Sequence, residues 1–327
     1  MTKSDIKETT GVRILNHDEL PSEAEAQVQL LHGSVGWGPI DFGRIRKAKE
    51  LGYPAPSYFG VYAVEDGQVM SAVWVLRLPF TDAEGAGTVG GIQGVVTRRD
   101  QSRRGLARML LQEVHRREKA SGCKHVMLWT GRGMVAHGLY ESLGYQDVYT
   151  PELAVKACGR AQRPTKYELR KVGESEAGIL EKLHHEATSG RLGFAPRPRG
   201  VIRSVLTLGF QDLDDFSMLL KEKEPMGYCL LRRGPGRCNV DELVLRDGVA
   251  IEDALALIES SAGGSWLSIR NTSVKDNFVT LSRRGYSFSS HTYYSLMAAS
   301  LGGNGLKTPR ALGTTDRSFT CQQLDYF

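Results

Sequence analysis

No stretch of eighteen apolar residues occurs in this 327-residue chain, which excludes a membrane-spanning helix. Met1 to Thr10 is polar and lacks the apolar segment of a secretory signal, so a cytoplasmic location is expected. Cysteine is scarce. The five residues Cys123, Cys158, Cys229, Cys238 and Cys321 are odd in number and show neither a CxxC nor a Cys/His metal spacing, so free thiols and no metal site are expected. The sequon Asn271-Thr272-Ser273 then carries no meaning. Charge of one sign is scarce as well: a net charge of +5 attracts phosphates weakly and argues against a nucleic-acid partner. What is present is apolar material, 41% of a length that suggests two domains with ample core.

The most informative run is Val95-Val96-Thr97-Arg98-Arg99-Asp100-Gln101-Ser102-Arg103-Arg104-Gly105-Leu106-Ala107, in which an apolar strand pattern turns through a basic loop into a helix. After Gly105, the positions Leu106, Leu110 and Val114, with Ala107 and Leu111 beside them, recur at helical spacing. A helix that begins at such a loop offers unpaired N–H groups and the positive end of its dipole, an anion cradle to which the arginines add charge. The bland reading is a solvated basic turn. Cys123 to Thr130 then reads as a buried strand, and Val135 to Tyr145 as a short helix stopped by Gly144, with Val135, Leu139 and Leu143 as its core stripe and Tyr140 beside it.

This loop–helix and strand–helix pair resembles the cofactor-binding region of the GNAT superfamily of N-acetyltransferases. The family's helix ends in Ala-x-x-Leu-Tyr-Glu-x-Leu-Gly-Phe/Tyr, and here Ala136-His137-Gly138-Leu139-Tyr140-Glu141-Ser142-Leu143-Gly144-Tyr145 matches over ten residues. The loop match is looser: Gln101 stands four residues before Gly105 rather than three, and Gly133 stands where the family has an asparagine. Upstream, Val12 to Leu15 reads as a first strand, Glu23 to Leu31 and Phe42 to Leu51 as helices, and Ser57 to Val64 with Val69 to Leu78 as a hairpin around Glu65-Asp66-Gly67. Thr88 to Thr97 follows as the central strand. Its Gly90, Gly91 and Gly94 call for a bulge or a close approach.

Two dinucleotide-type motifs compete. Gly85-Ala86-Gly87-Thr88-Val89-Gly90 precedes a strand rather than a helix, and Gly131 to Ala136 opens a helix too short for a βαβ crossover. The second stays open as a minor dinucleotide-binding alternative.

The second half repeats the first in worn form. After the linker Arg160 to Pro164, strands are expected at Lys166 to Val172, Phe216 to Leu220, Met226 to Arg232, Asn239 to Leu245 and Trp266 to Ile269. Helices are expected at Glu176 to Leu183, Val201 to Leu208 and Ile251 to Ile258. Aligning Gly285 with Gly144 puts Leu281 where Tyr140 stands, and the turn Arg246 to Ala250 is a poor phosphate cradle. The expected fold is mixed α+β, two GNAT-like domains with mostly antiparallel central sheets flanked by helices. The first spans residues 11–158, a degenerate second 165–299, and a C-terminal tail 300–327.

The resemblance implies an acetyl-CoA-dependent N-acetyltransferase acting on a primary amine of unknown class, without a membrane partner and with its oligomeric state open. Its cofactor-binding residues would be Val95, Val96, Thr97, Arg103, Arg104, Gly105, Leu106, Ala107 and Tyr140. Tyr140 would also protonate the departing thiolate, and backbone N–H groups at the Gly94–Val95–Val96 bulge would hold the oxyanion. Gln93 stands where some members carry a glutamate and cannot take a proton, which leaves Asp82, Glu84 or His137 with a relayed water as base. The alternatives are a catalytically silent acyl-CoA-binding sensor or a nucleic-acid-binding protein using Arg98, Arg99, Arg103 and Arg104.

Overall fold

The computed structural model describes residues 11–34, 42–51, 57–159, 165–270, 272–289, 293–302, 308–316 and 318–321, and the linker read at Arg160 to Pro164 lies outside them. In the first half the elements run β1 (Arg13–Asn16), α1 (Ala24–Gly33), α2 (Phe42–Glu50), β2 (Ser57–Glu65), β3 (Gln68–Asp82), β4 (Gly85–Thr97), α3 (Leu106–Ala120), β5 (His125–Gly131), α4 (Val135–Glu141), β6 (Gln146–Tyr149) and β7 (Leu153–Ala157). The second half adds β8 (Glu168–Lys171), α5 (Ala177–Thr188), β9 (Leu192–Gly193), α6 (Val201–Leu208), β10 (Phe216–Lys221), β11 (Glu224–Gly234), β12 (Arg237–Leu245) and α7 (Ile251–Ser261). It closes with β13 (Trp266–Arg270), α8 (Thr272–Asp276), α9 (Phe278–Arg283), β14 (Ser287–Ser289), β15 (Tyr294–Ser300), α10 (Thr308–Ala311) and β16 (Phe319–Thr320).

Two mixed sheets result, in the orders β1-β2-β3-β4-β5-β15-β6 and β8-β10-β11-β12-β13-β7-β14. Along these orders each contains one parallel pair, β4 with β5 and β12 with β13, among otherwise antiparallel neighbours, and the first sheet also carries β9 against β3 with β16 parallel to β9. The two orders correspond strand for strand, so the second half repeats the architecture of the first.

The halves exchange a strand. β7, at the end of the first half, lies in the second sheet between β13 and β14, while β15, at the end of the second half, lies in the first sheet between β5 and β6. The sheets therefore do not stop at residues 158 and 299. Nor is the segment after residue 300 only a tail: Leu312, Phe319 and Cys321 are buried against Phe80, Val89, Met127 and Leu296 of the first sheet. Such an exchange costs little, because each sheet gains one equivalent edge for the one it lends.

Alternation along the strands sets the faces of the first sheet. Val61, Val73, Ile92, Val126, Leu128, Met297 and Ala299 point toward α3 and α4, which bring Leu106, Leu110, Leu111, Val114 and Tyr140. Tyr62, Val64, Ala72, Trp74 and Val96 point the other way, under α1 and its Ala24, Val28 and Leu31. No described helix is long and apolar enough to cross a membrane. All five cysteines are free and buried.

Candidate active site

The site forms where β4 and β5 part company. They pair from Val89–His125 to Ile92–Leu128, and beyond that point no ladder joins them. At the same level β4 bulges: its register against β3 passes from Trp74–Gln93 to Ala72–Val96, leaving Gly94 and Val95 opposite Val73 alone. Gly94 has φ +62, a left-handed backbone that a glycine tolerates best, and a Cβ there would strike the Trp74 ring. Trp74 is itself fixed, since its Nε1–H donates to the Tyr62 hydroxyl at 2.9 Å. A bulge leaves a backbone group outside the ladder, available to a ligand in the gap.

Beyond the bulge the chain turns through Arg98 to Arg104 into α3. Gly105 occupies the N-cap position at φ +79, with open space where a side chain would stand and no side-chain cap on the helix. The first helical bond runs from the Met109 N–H to the Gly105 carbonyl at 3.0 Å, so the N–H groups of Leu106, Ala107 and Arg108 have no partner inside the helix. No acid sits in the first turn. This is an anion cradle of backbone donors.

The four arginines divide into two kinds. Arg98 is engaged by Asp100 at 2.7 Å, and Arg104 holds Glu65 through two bonds of 2.8 Å and also reaches Gln101. Arg104 thereby keeps the Glu65 carboxyl below its ordinary range. Arg99 and Arg103 make no ion pair among the described residues, and Arg103 adopts a left-handed backbone at φ +62. Arg104 therefore braces the loop against the β2–β3 turn, and Arg99 and Arg103 are the two loop arginines that no described acid engages. Sequence spacing did not reveal this, because Glu65 is 39 residues away.

Tyr140 is 6% exposed, and burial pushes its hydroxyl up to about 12. Among the described residues no group hydrogen-bonds that hydroxyl. Its ring meets Tyr145 edge to face at 5.8 Å, and the Tyr145 hydroxyl pairs with His115 Nε2 at 2.7 Å. Burial lowers His115 to about 4, which keeps that imidazole neutral. Val95 packs with Tyr140 against the same core, while Val96 points to the opposite face and is buried beneath α1. The Thr97 hydroxyl lies 2.8 Å from that of Ser71.

Three sequence-derived base candidates fall elsewhere. Asp82 and Glu84 lie at the far end of β4, with Glu84 on Lys124 at 2.9 Å and Asp82 3.9 Å from His125. Nine or so strand residues separate them from the bulge, about 30 Å at ~3.3 Å per residue. His137 is held by Asp147 at 3.4 Å and Glu141 at 3.7 Å on the flank of α4.

At the corresponding place in the second sheet β12 also bulges, between the pairs Leu230–Glu242 and Leu231–Val240. The extra residue is Asp241, and a buried charged network stands beside it. Glu242 is fully buried, receives Arg197 at 2.7 and 3.1 Å and the Tyr228 hydroxyl, and lies 3.6 Å from His184. Burial opposes its ionisation, yet Arg197 and His184 hold the carboxyl well below the ordinary range. The first turn of α7 carries Glu252 and Asp253, and Leu281 is a core residue.

The first sheet thus splays at a bulge beside an uncapped helix N-terminus. Residues 26–145 match the model of the acetyltransferase (GNAT) family. Over those residues the first half of the chain is similar to that family. Solved structures of similar fold include a conserved protein of unknown function from Enterococcus faecalis V583, described as a probable N-acyltransferase, at 13% identity over 89% of this chain and 73% of that one, with a TM-score of 0.67. A GCN5-related N-acetyltransferase from Kribbella flavida aligns at 18% identity over 88% and 71%, with a TM-score of 0.62. A tandem GNAT protein from the clavulanic acid biosynthesis pathway aligns at 10% identity over 89% of this chain and 99% of its own, with a TM-score of 0.57. At these identities the likeness is one of fold. No curated protein sequence matches the chain.

Proposed function

We propose that the protein is an acetyl-CoA-dependent N-acetyltransferase with one working site, in the first sheet. The observation that carries this reading is that the uncapped helix start at Gly105, the bulge at Gly94 and the buried Tyr140 meet at one core cluster, in which Leu106, Val95 and Tyr140 pack together. Acetyl-CoA supplies a thioester carbonyl and a pyrophosphate, and the residues present fit both. The N–H groups of Leu106, Ala107 and Arg108, with Arg103, receive the pyrophosphate, and Arg104 stiffens the loop that presents them.

The chemistry follows from the same groups. A neutral amine, its proton already passed to water or a base, forms a bond to the acyl carbon from the side of the sheet away from Tyr140. Backbone N–H groups at the Gly94–Val95 bulge take the charge that develops on the carbonyl oxygen, a role worth about 3 kcal/mol in related oxyanion sites. As the carbon–sulfur bond breaks, Tyr140 on the other face gives its proton to the departing thiolate. Its raised pKa keeps that proton in place at every physiological pH.

The second sheet has no such outlet. Its bulge at Asp241 stands beside the buried, arginine-paired Glu242, its central helix begins with two acids, and no tyrosine stands at position 281. These features support a degenerate second domain. The test is release of free coenzyme A from acetyl-CoA with a panel of primary amines. Amine-dependent release supports the enzyme, whereas tight binding without release under any amine turns the reading into a sensor.

A further inference from the structure

Resting on that acetyltransferase reading, we propose that Glu65 is a positioning residue for the coenzyme: through Arg104 it holds the loop that presents the N–H groups of α3, and it sets acetyl-CoA affinity without touching the ligand. Its own place is well fixed. Asp66 and Gly67 turn from β2 to β3 at φ +49 and +74, the two left-handed residues of a tight hairpin turn, so Glu65 stands at the end of β2 opposite Gln68. From α1, the Gln27 side chain donates to the Gly67 carbonyl at 3.3 Å and accepts from the Val69 N–H at 2.8 Å, which ties the turn to that helix.

The loop that Glu65 holds has few other ties. At its start the Arg98 N–H donates to the Met70 carbonyl at 2.8 Å and carries the β3–β4 ladder one bond further. The next bonds are local: the Gln101 N–H donates to the Arg98 carbonyl at 3.0 Å, and the Arg98 and Gln101 side chains share Asp100. Near the loop's end Arg104 lays Nη1 and Nη2 on the two Glu65 oxygens at 2.8 Å each, and among the described residues no other side chain from Arg99 to Arg104 reaches the sheet. Arg103 and Gly105, on either side of Arg104, both have left-handed backbone, at φ +62 and +79. Arginine keeps that conformation only where its surroundings impose it, and the clamp on Glu65 is the adjacent restraint.

Two roles for the pair predict opposite signs. If Glu65 only neutralised a cation meant for the pyrophosphate, removing its charge would free Arg104 and tighten binding. If Glu65 holds the loop, removing its charge leaves the helix donors to be ordered at the moment of binding, and binding weakens. The geometry favours the second role, because Arg104 commits both terminal nitrogens to Glu65 and Nη1 also to Gln101. A bidentate fork of this kind fixes direction as well as distance.

The test uses the full-length chain with Glu65→Gln, Arg104→Gln and the double variant, each with native circular dichroism. Calorimetry should show acetyl-CoA bound about fivefold more weakly by Glu65→Gln, with KM raised alike and kcat at saturation unchanged. Arg104→Gln should lose affinity to the same extent, and the double variant should lose no more than either single one. S-acetylpantetheine carries the thioester without the pyrophosphate, so its kcat/KM should hold in Glu65→Gln. Unchanged or tighter acetyl-CoA binding by Glu65→Gln, additive losses in the double variant, or an equal fall in kcat/KM for S-acetylpantetheine overturns the proposal and leaves the acetyltransferase reading standing. Calorimetry needs no turnover, so absence of coenzyme A release with every amine overturns that reading while the binding result still decides the role of Glu65. A wild type that binds no acetyl-CoA overturns both.

Discussion

Cutting the chain after residue 159 removes more than a second domain, because it deletes a strand from the middle of the first sheet. β15 sits between β5 and β6 and pairs with β5 at seven positions, from Tyr294–Gly131 to Ser300–His125. Leu296, Met297 and Ala298 are fully buried there, and Phe194, Leu312 and Phe319 cover the same sheet from the second half. Burying each large apolar side chain is worth about 2 kcal/mol, so these five and the alanine together contribute on the order of 10 kcal/mol. A domain's whole net stability is roughly 5–15 kcal/mol, and β5 and β6 would also be left with open edges. A chain of residues 11–159 is therefore expected to aggregate, or to show no cooperative unfolding transition in urea and no acetyl-CoA binding by calorimetry. A monodisperse fragment that unfolds cooperatively and binds acetyl-CoA with the affinity of the full chain would refute the strand exchange as the basis of stability.

Gly105→Glu should abolish acetyl-CoA binding, since it forces a side chain and a negative charge into a left-handed N-cap position facing the pyrophosphate; calorimetry on a variant with native circular dichroism checks it. Tyr140→Phe should lower kcat by about 10²-fold with little change in acetyl-CoA affinity, as loss of a general acid does, and single-turnover rates separate the two effects. Titration should reach one acetyl-CoA per chain, and a second equivalent site would contradict the reading of the second domain as degenerate, with its buried Glu242–Arg197 pair and acidic helix start. The His115 pKa is depressed in the folded state to about 4, so the stability it contributes is present above its unfolded value near 6.5 and is lost as pH falls toward 4. Melting temperature should fall over that interval in wild type, and the loss should shrink in His115→Phe.

Much of the first half could be read locally. The helix from Leu106, the hairpin around Asp66-Gly67 and the stop at Gly144 follow from periodicity and turn chemistry, which act between residues a few positions apart. The glycines of the central strand announced a bulge, and the register confirms one at Gly94, though the reason lies in Trp74, twenty residues away in sequence. The helices and strands of the second half were legible for the same reason, as was the loss of a basic loop and of a tyrosine at position 281. What only the tertiary structure decided is which strands pair. Leu153–Ala157 and Tyr294–Ser300 are both short apolar runs, and a short run carries no record of its partner, so each is equally able to fill either sheet. The same holds for the pairing of Arg104 with Glu65 and for the distance of Asp82 and Glu84 from the bulge, which depend on contacts and strand lengths that only the folded chain brings together. Local pattern determined the elements and the uncapped helix start at Gly105, whereas the choice among equivalent partners, made by burial over the whole sheet, determined which strands meet.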